Sequence, residues 1–106
     1  MPKYLFEVSY SEEGTKGLLK EGGTRRRAAA EKAFREVGGK IESWYYAFGK
    51  YDAYIIAEFP DHASVAALSL TVTAAGAARI RTTVLLTTRE IDAATKKKIA
   101  YRAPGK

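Results

Sequence analysis

The sequence predicts one α+β domain in which two helices cover one face of an antiparallel sheet. Three observations predict it: short segments alternate apolar and polar residues, two alanine-rich segments have helical spacing, and the order along the chain is β, α, β, β, α, β. A chain of 106 residues has the common size of one domain. We expect the domain over residues 1–88 and a basic helix or tail over residues 89–106.

The first third of the chain predicts a strand, a loop and a helix. Residues 3–10 alternate in the manner of a half-buried strand. Residues 11–23 contain four glycines and mixed charges, which indicates a connecting loop. Residues 24–37 form an alanine-rich segment, so we expect a helix with Thr24 as its N-cap and Gly38 as its stop.

The middle of the chain predicts a hairpin. Residues 41–48 and 51–59 are rich in aromatic and β-branched residues, and only two residues, Gly49 and Lys50, separate them. That spacing predicts a two-residue turn with glycine at the first central position.

The last third predicts a second helix, a fourth strand and a polar helix. Asp61 is the expected N-cap of an alanine-rich helix that ends at Gly76. Residues 78–86 alternate as a strand does, and residues 91–101 favour a polar helix. The complete order is that of a ferredoxin-like βαββαβ two-layer sandwich, for which right-handed crossovers give the strand order four, one, three, two.

One face of this sheet is expected to lack helices. The hairpin register places Glu42, Trp44 and Tyr46 on the helix-facing side. The opposite face carries rings, carboxylates and arginines: Glu7, Ser9, Ser43, Tyr45, Asp52, Tyr54, Ile56, Glu58, Arg79, Arg81 and Thr83. Such a mixture favours a homodimer or larger assembly.

A ligand is expected between the two sheets of such a dimer. The candidate lining residues are Tyr45, Asp52, Tyr54, Glu58, Arg79 and Arg81. The two arginines would hold an acidic small molecule.

The composition limits the cellular compartment and the kinds of catalysis that we expect for this protein. The chain has no cysteine, which excludes disulfides and thiolate catalysis. Because there is neither an apolar leader nor a run long enough to span a membrane, we expect a cytoplasmic protein. No metal-ligand spacing occurs, and we expect neither a metal nor a cofactor.

The net charge of +6 would attract anionic partners. Thr24, Arg25, Arg26 and Arg27 stand at a predicted helix start, where they form either an anion site or a solvated basic face. Nucleic acid is an unlikely partner, because the RNA-recognition motif needs aromatic rings on its first strand, where this chain has Glu7 and Ser9. The alternative is that Arg25, Arg26 and Arg27, together with residues 96–98, make nonspecific contact with polyanions.

Three short segments carry a family resemblance: Phe48-Gly49-Lys50-Tyr51-Asp52, Glu58-Phe59-Pro60-Asp61 and Arg79-Ile80-Arg81-Thr82. With the alanine-rich helix between the last two, they resemble the GYD-domain family of small bacterial proteins, over roughly residues 4–86. The resemblance implies a ferredoxin-like fold of the dimeric α/β-barrel type, without an established activity. Tyr51 and Asp52, in the Gly-x-Tyr-Asp element, are either structural or ligand-binding residues.

Two functions remain open at this point. The first is a dimeric module that is non-catalytic or binds a small molecule. The second is a cofactor-independent enzyme, an oxygenase or isomerase, by analogy of fold alone. His62, the one histidine, is expected to be exposed at the start of the second helix, where it lacks the orienting partner and the pocket that a general base requires.

Overall fold

A computed structural model describes residues 1–106 and contains four strands and four helices. In chain order they are β1 (Lys3–Tyr10), α1 (Glu12–Glu21), α2 (Gly23–Glu36), β2 (Lys40–Tyr46), β3 (Ala53–Glu58), α3 (His62–Ala75), β4 (Ala78–Leu85) and α4 (Thr88–Thr95). The strands form one open antiparallel sheet in the order β2-β3-β1-β4. The predicted α+β ferredoxin-like fold and strand order are confirmed.

The core lies between the sheet and helices α2 and α3, and aromatic rings fill its centre. Tyr4, Phe6 and Phe59 are almost completely buried and meet Phe34 of α2. Neighbouring ring centroids in this group are 5.4 to 6.3 Å apart. These separations are those of favourable aromatic pairs. The alternation predicted for β1 and β3 therefore places their apolar side in the core.

Helix α1 occupies the segment predicted to be a loop, so that prediction is wrong. Ser11 caps the helix by accepting from the backbone N–H of Gly14 at 3.1 Å. The Ser11 hydroxyl donates to the carbonyl of Gly76 at 2.7 Å, and the Ser11 N–H donates to that of Ala77 at 2.9 Å. The glycines lower helix propensity, but the cap and this docking onto the start of β4 compensate.

Helix α2 begins one residue before the predicted cap. Gly22, with φ of 82°, ends α1 and is also the N-cap of α2, and it provides no side-chain hydrogen bond. Thr24 therefore lies within the first turn and is not the N-cap. The sequence prediction failed here because it placed no helix before Gly22, where only glycine readily adopts this conformation.

The connection between β2 and β3 is longer than predicted. Residues 47–52 separate the strands, and Gly49 does not have the positive φ that the predicted two-residue turn requires. The predicted register is nevertheless confirmed, with Trp44 opposite Ile55 and Tyr46 opposite Ala53. The pairing continues through the Ala47 N–H, which donates to the Asp52 carbonyl at 2.9 Å.

An irregularity in β2 places Glu42 on the other side of the sheet from the predicted one. The pairing with β3 shifts between Ile41 and Ser43, as at a β-bulge. The Glu42 carboxylate thereby accepts a hydrogen bond at 2.6 Å from the ammonium group of Lys3. This bond raises the pKa of Lys3. The predicted helix-facing position of Glu42 is therefore wrong.

The C-terminal part of the chain extends from the body of the domain. The polar helix starts and ends earlier than predicted, with a reciprocal cap between Thr87 and Glu90. All residues of α4 are exposed, and the chain measures 57 × 32 × 23 Å. No helix has both the length and the apolar content needed to cross a membrane.

Candidate functional site

The side of the sheet opposite α2 and α3, here called the uncovered face, has a middle row with two apolar residues at its centre and a row with charged residues on each side. The middle row crosses the four strands through Ser43, Ile56, Leu5 and Thr83. The row on one side is Tyr45, Tyr54, Glu7 and Arg81. The row on the other side is Lys40, Glu58, Lys3 and Leu85. Positive and negative charges therefore lie on both sides of an apolar centre.

A cluster of two tyrosines and one arginine lies at one edge of the uncovered face. The Arg81 guanidinium donates to the Tyr51 hydroxyl at 3.3 Å, and this hydrogen bond raises the pKa of Arg81. The Tyr51 and Tyr54 rings meet edge to face at 6.0 Å. Glu7 is opposite Arg81 in register, but no ion pair joins them within 4.0 Å. Glu7 and Arg81 are therefore neighbours across two strands without an ion pair.

The remaining residues predicted on this face are spread along it. Tyr45 is opposite Tyr54 and is strongly exposed. Arg79 is opposite Ser9, near one end of β1, whereas Glu58 is opposite Lys3 at the other end. Six residues of strand, about 20 Å, separate those two positions. The sheet therefore brings Tyr51 and Tyr54 to Arg81 but leaves Glu58 far from both arginines.

Asp52 connects the loop before β3 to β1. Its carboxylate accepts a hydrogen bond from the backbone N–H of Tyr10 at 2.8 Å. Its own N–H donates to the carbonyl of Val8 at 2.8 Å. Both hydrogen bonds fix the position of Asp52 within the chain, as expected of a structural residue.

Two of the arginines at the start of α2 are paired with carboxylates. Arg26 is 3.3 Å from Glu21, and Arg27 is 3.0 Å from Glu31. Arg25 is exposed and makes no ion pair within 4.0 Å. Much of the positive charge predicted to attract an anion is therefore compensated within the chain.

His62 has a partner that the sequence did not reveal. It occupies the first position of α3 after the Asp61 cap, as predicted. Its Nδ1 lies 2.6 Å from the hydroxyl of the buried Tyr4. The two residues are 58 positions apart, so only the docking of α3 onto β1 brings them together. The histidine thus satisfies a buried hydroxyl, which is a structural role.

The second candidate site is a cavity of about 260 Å³ between α2 and α3, here called the helix cleft. Its walls are mainly short side chains of the two helices, and its floor is the helix-facing side of the sheet. The wall residues include Ala29, Ala30, Ala33, Leu68, Val72 and Ala75, and the floor residues include Phe6, Val8, Trp44, Ile55 and Ile80. Alanine methyl groups leave this space unfilled. The alanine-rich composition of both helices was the one sequence signal that could have predicted it.

A few polar groups border the helix cleft. A tyrosine hydroxyl is protonated at neutral pH at its ordinary pKa, and burial raises the pKa of Tyr10 further, to about 12. That hydroxyl makes no hydrogen bond within the chain. Arg26 also lines the cleft but is paired with Glu21. The cleft therefore combines apolar walls with a few neutral hydrogen-bonding groups, Tyr10 and Thr71 among them, and one compensated charge.

Trp44 forms part of the cleft floor and has an unsatisfied donor. Its indole N–H is the one buried side-chain polar group without a hydrogen bond. The nearby Tyr46 hydroxyl does not have the geometry to accept from it and donates instead to the carbonyl of Gly23 at 2.8 Å. Because Trp44 is the only tryptophan of the chain, its indole signal reports on the cleft.

Comparison with known proteins gives a family match and one structural likeness. The family model described as the GYD domain matches residues 4–95, which includes α4. The crystal structure of a protein of unknown function from Nitrosomonas europaea is similar, with 19% identity and a TM-score of 0.43 over 82% of this chain and 91% of that chain. No curated protein matches.

Proposed function

The chain belongs to the GYD-domain family, and on that premise we propose that it is a homodimeric module that binds a small, largely apolar molecule in the helix cleft. The single observation that supports binding is an apolar cleft of about 260 Å³ that opens between α2 and α3. This volume is just below the range of about 300–1,000 Å³ that is usual for small-molecule sites, so the ligand must be small.

The lining of the helix cleft favours a neutral ligand with one hydrogen-bonding oxygen. The Tyr10 hydroxyl is protonated and unpaired, so it can donate to a carbonyl or hydroxyl oxygen. Arg26 is already compensated by Glu21, which weakens its attraction for an anion. The lining residues include neither a carboxylate nor His62. The cleft is therefore better suited to binding than to acid–base catalysis.

Filling the cleft with a larger side chain tests this proposal. Ala33→Leu places three extra carbon atoms in the cleft, and we expect it to weaken binding of 2-acetylnaphthalene by at least about tenfold, since overlap of this kind costs more than about 1.4 kcal/mol. Binding is measured by titration of the single Trp44 indole N–H resonance. Ala28→Leu, on the exposed side of α2, is the matched control and should bind as the natural chain does. Equal affinity of all three proteins, or no binding by any of them, contradicts the proposal.

An acidic ligand on the uncovered face is the second candidate, because the Arg81 cluster is exposed there. Arg79 and Arg81 would hold its carboxylate between the two sheets of a dimer. Titration with 2-naphthoate, which has a similar apolar body, distinguishes the two sites. Binding at the arginines leaves the Trp44 resonance unchanged, whereas binding in the helix cleft shifts it.

The uncovered face is the proposed dimer interface. Leu5 and Ile56 give it an apolar centre, and each flanking row carries both signs of charge. A two-fold axis that runs across the strands places the Glu7 and Arg81 row of one copy against the Lys3 and Glu58 row of the other. Such self-complementarity is what an isologous contact requires.

An arginine in the middle of this face should prevent self-association. Ile56→Arg places an unpaired charge in the proposed interface, and we expect the mass in solution to fall from about 23 kDa to the 11.6 kDa of one chain. Sedimentation equilibrium measures the mass. Leu70→Arg, on an exposed position of α3, is the control and should remain dimeric. A natural chain that sediments as a monomer would contradict the proposed dimer.

A further inference from the structure

The C-terminal arm, defined here as residues 87–106, begins with a helix that its own domain does not cover. Helix α4 has eight residues, all of them exposed. Isolated helices shorter than about 12 residues are marginal in water, even with a good cap. The radius of gyration is 17.0 Å, compared with about 13 Å for a compact domain of this length. The arm therefore needs a partner to stabilise its helix.

The side chains of the arm indicate what kind of partner it needs. Ile91, Ile99 and Tyr101 are large apolar residues that the chain leaves exposed. The arm also carries six of the basic residues but only two acidic ones. Charge alone would suit a polyanion. Three exposed large apolar residues in so short a segment favour a protein surface instead.

The body of the domain carries an apolar patch next to the point where the arm leaves it. Val84 and Leu86 are on the helix-facing side of β4, yet they are 51% and 58% exposed. Val84 is opposite the buried Tyr4, so the patch continues the core surface. β4 is also an edge strand, and edge strands are usually protected.

We propose that the C-terminal arm of each copy packs on the Val84 and Leu86 patch of β4 in a second copy. The exchange is reciprocal, since every copy carries both an unpartnered arm and an unpartnered patch. The inference rests on the proposed homodimer and adds to it the contact that protects the sheet edge. The uncovered face and the patch lie on opposite sides of the sheet, so the two contacts are tested separately.

Cross-linking tests the exchange directly, because the natural chain has no cysteine. Ala94→Cys is made in ¹⁵N-labelled protein and Val84→Cys in unlabelled protein, and the two are mixed and oxidised after sedimentation has established a dimer. We expect disulfide-linked peptides that join labelled to unlabelled chains. In the control, Leu19→Cys, on an exposed position of α1, replaces Val84→Cys. This pair should give few disulfide-linked peptides between labelled and unlabelled chains. A dimer without labelled–unlabelled links between these two positions overturns the proposed exchange and leaves the dimer intact.

A substitution in the arm tests the same contact energetically. Ile91→Asp removes a buried apolar contact of the proposed exchange, so we expect the dimer dissociation constant to rise at least about tenfold. Lys97→Glu, in the same arm, should change it much less. If Lys97→Glu weakens the dimer as much as Ile91→Asp does, charge dominates and apolar docking is wrong. If neither changes the dimer and the arm instead binds heparin at low salt, its partner is a polyanion and the exchange is wrong.

Discussion

Replacing Phe59 by alanine is expected to lower the free energy of unfolding by about 3–5 kcal/mol. The Phe59 ring is completely buried and meets Tyr4, Phe6 and Phe34. It also lies against Gly39, where an added Cβ would come within 2.4 Å of the ring. Because neighbours this closely packed cannot collapse into the space, the substitution leaves a cavity. A domain of this size has about 5–15 kcal/mol of stability in total.

The measurement is chemical denaturation at one fixed protein concentration, since self-association adds to apparent stability. Phe48→Ala is the matched control, because Phe48 is fully exposed in the connection between β2 and β3. It should change stability by less than about 0.5 kcal/mol. Equal losses for the two variants would mean that burial in the aromatic core does not determine the stability of this fold.

Replacing Gly14 by alanine is expected to destabilise the chain although it improves helix propensity. Alanine in a helix interior is favoured over glycine by about 1 kcal/mol. At this position, however, the added Cβ would lie 1.9 Å from the carbonyl oxygen of Ala77. Since that oxygen belongs to the backbone, α1 must move away and lose the Ser11 hydrogen bonds to Gly76 and Ala77. We expect a net loss of about 1–3 kcal/mol.

Gly17→Ala provides the control within the same helix. No atom lies within 4 Å of a Cβ added at Gly17, so helix propensity acts alone and should stabilise the chain by up to about 1 kcal/mol. Denaturation curves measure both variants, and hydrogen exchange of the α1 amides shows whether the helix leaves the domain. If Gly14→Ala is as stable as Gly17→Ala, the docking of α1 onto Ala77 is not as close as described.

The two proposed functions, ligand binding and dimerisation, use opposite faces of the sheet. The helix cleft lies between the sheet and the helices, whereas the uncovered face is on the other side. A substitution that breaks the dimer, such as Ile56→Arg, is therefore not expected to block the cleft. Binding measured on that variant shows whether the ligand site is complete within one chain.

The positions of the strands, their order in the sheet and the register of the β2–β3 hairpin could be predicted from the sequence. The alternation in β1 and β3 follows from the period of two of a strand that is buried on one side. The caps at Asp61 and Gly76 follow from local backbone chemistry, with the Asp61 side chain accepting from the N–H of Ser64 and Gly76 in the left-handed conformation at φ of 81°. The strand order followed from the handedness of two crossovers. All of these depend on interactions local to one segment or on rules common to all chains.

The features on which the candidate sites depend arise from contacts that exist only in the folded chain. Helix α1 forms because Ser11 finds acceptors at Gly76 and Ala77, 65 or more positions away. Glu42 changes side because β2 adjusts to its partner, and the helix cleft exists because two alanine faces meet over a sheet of fixed width. Contacts between distant parts of the chain determine all three, and the residues of one segment do not specify which distant residues they will meet.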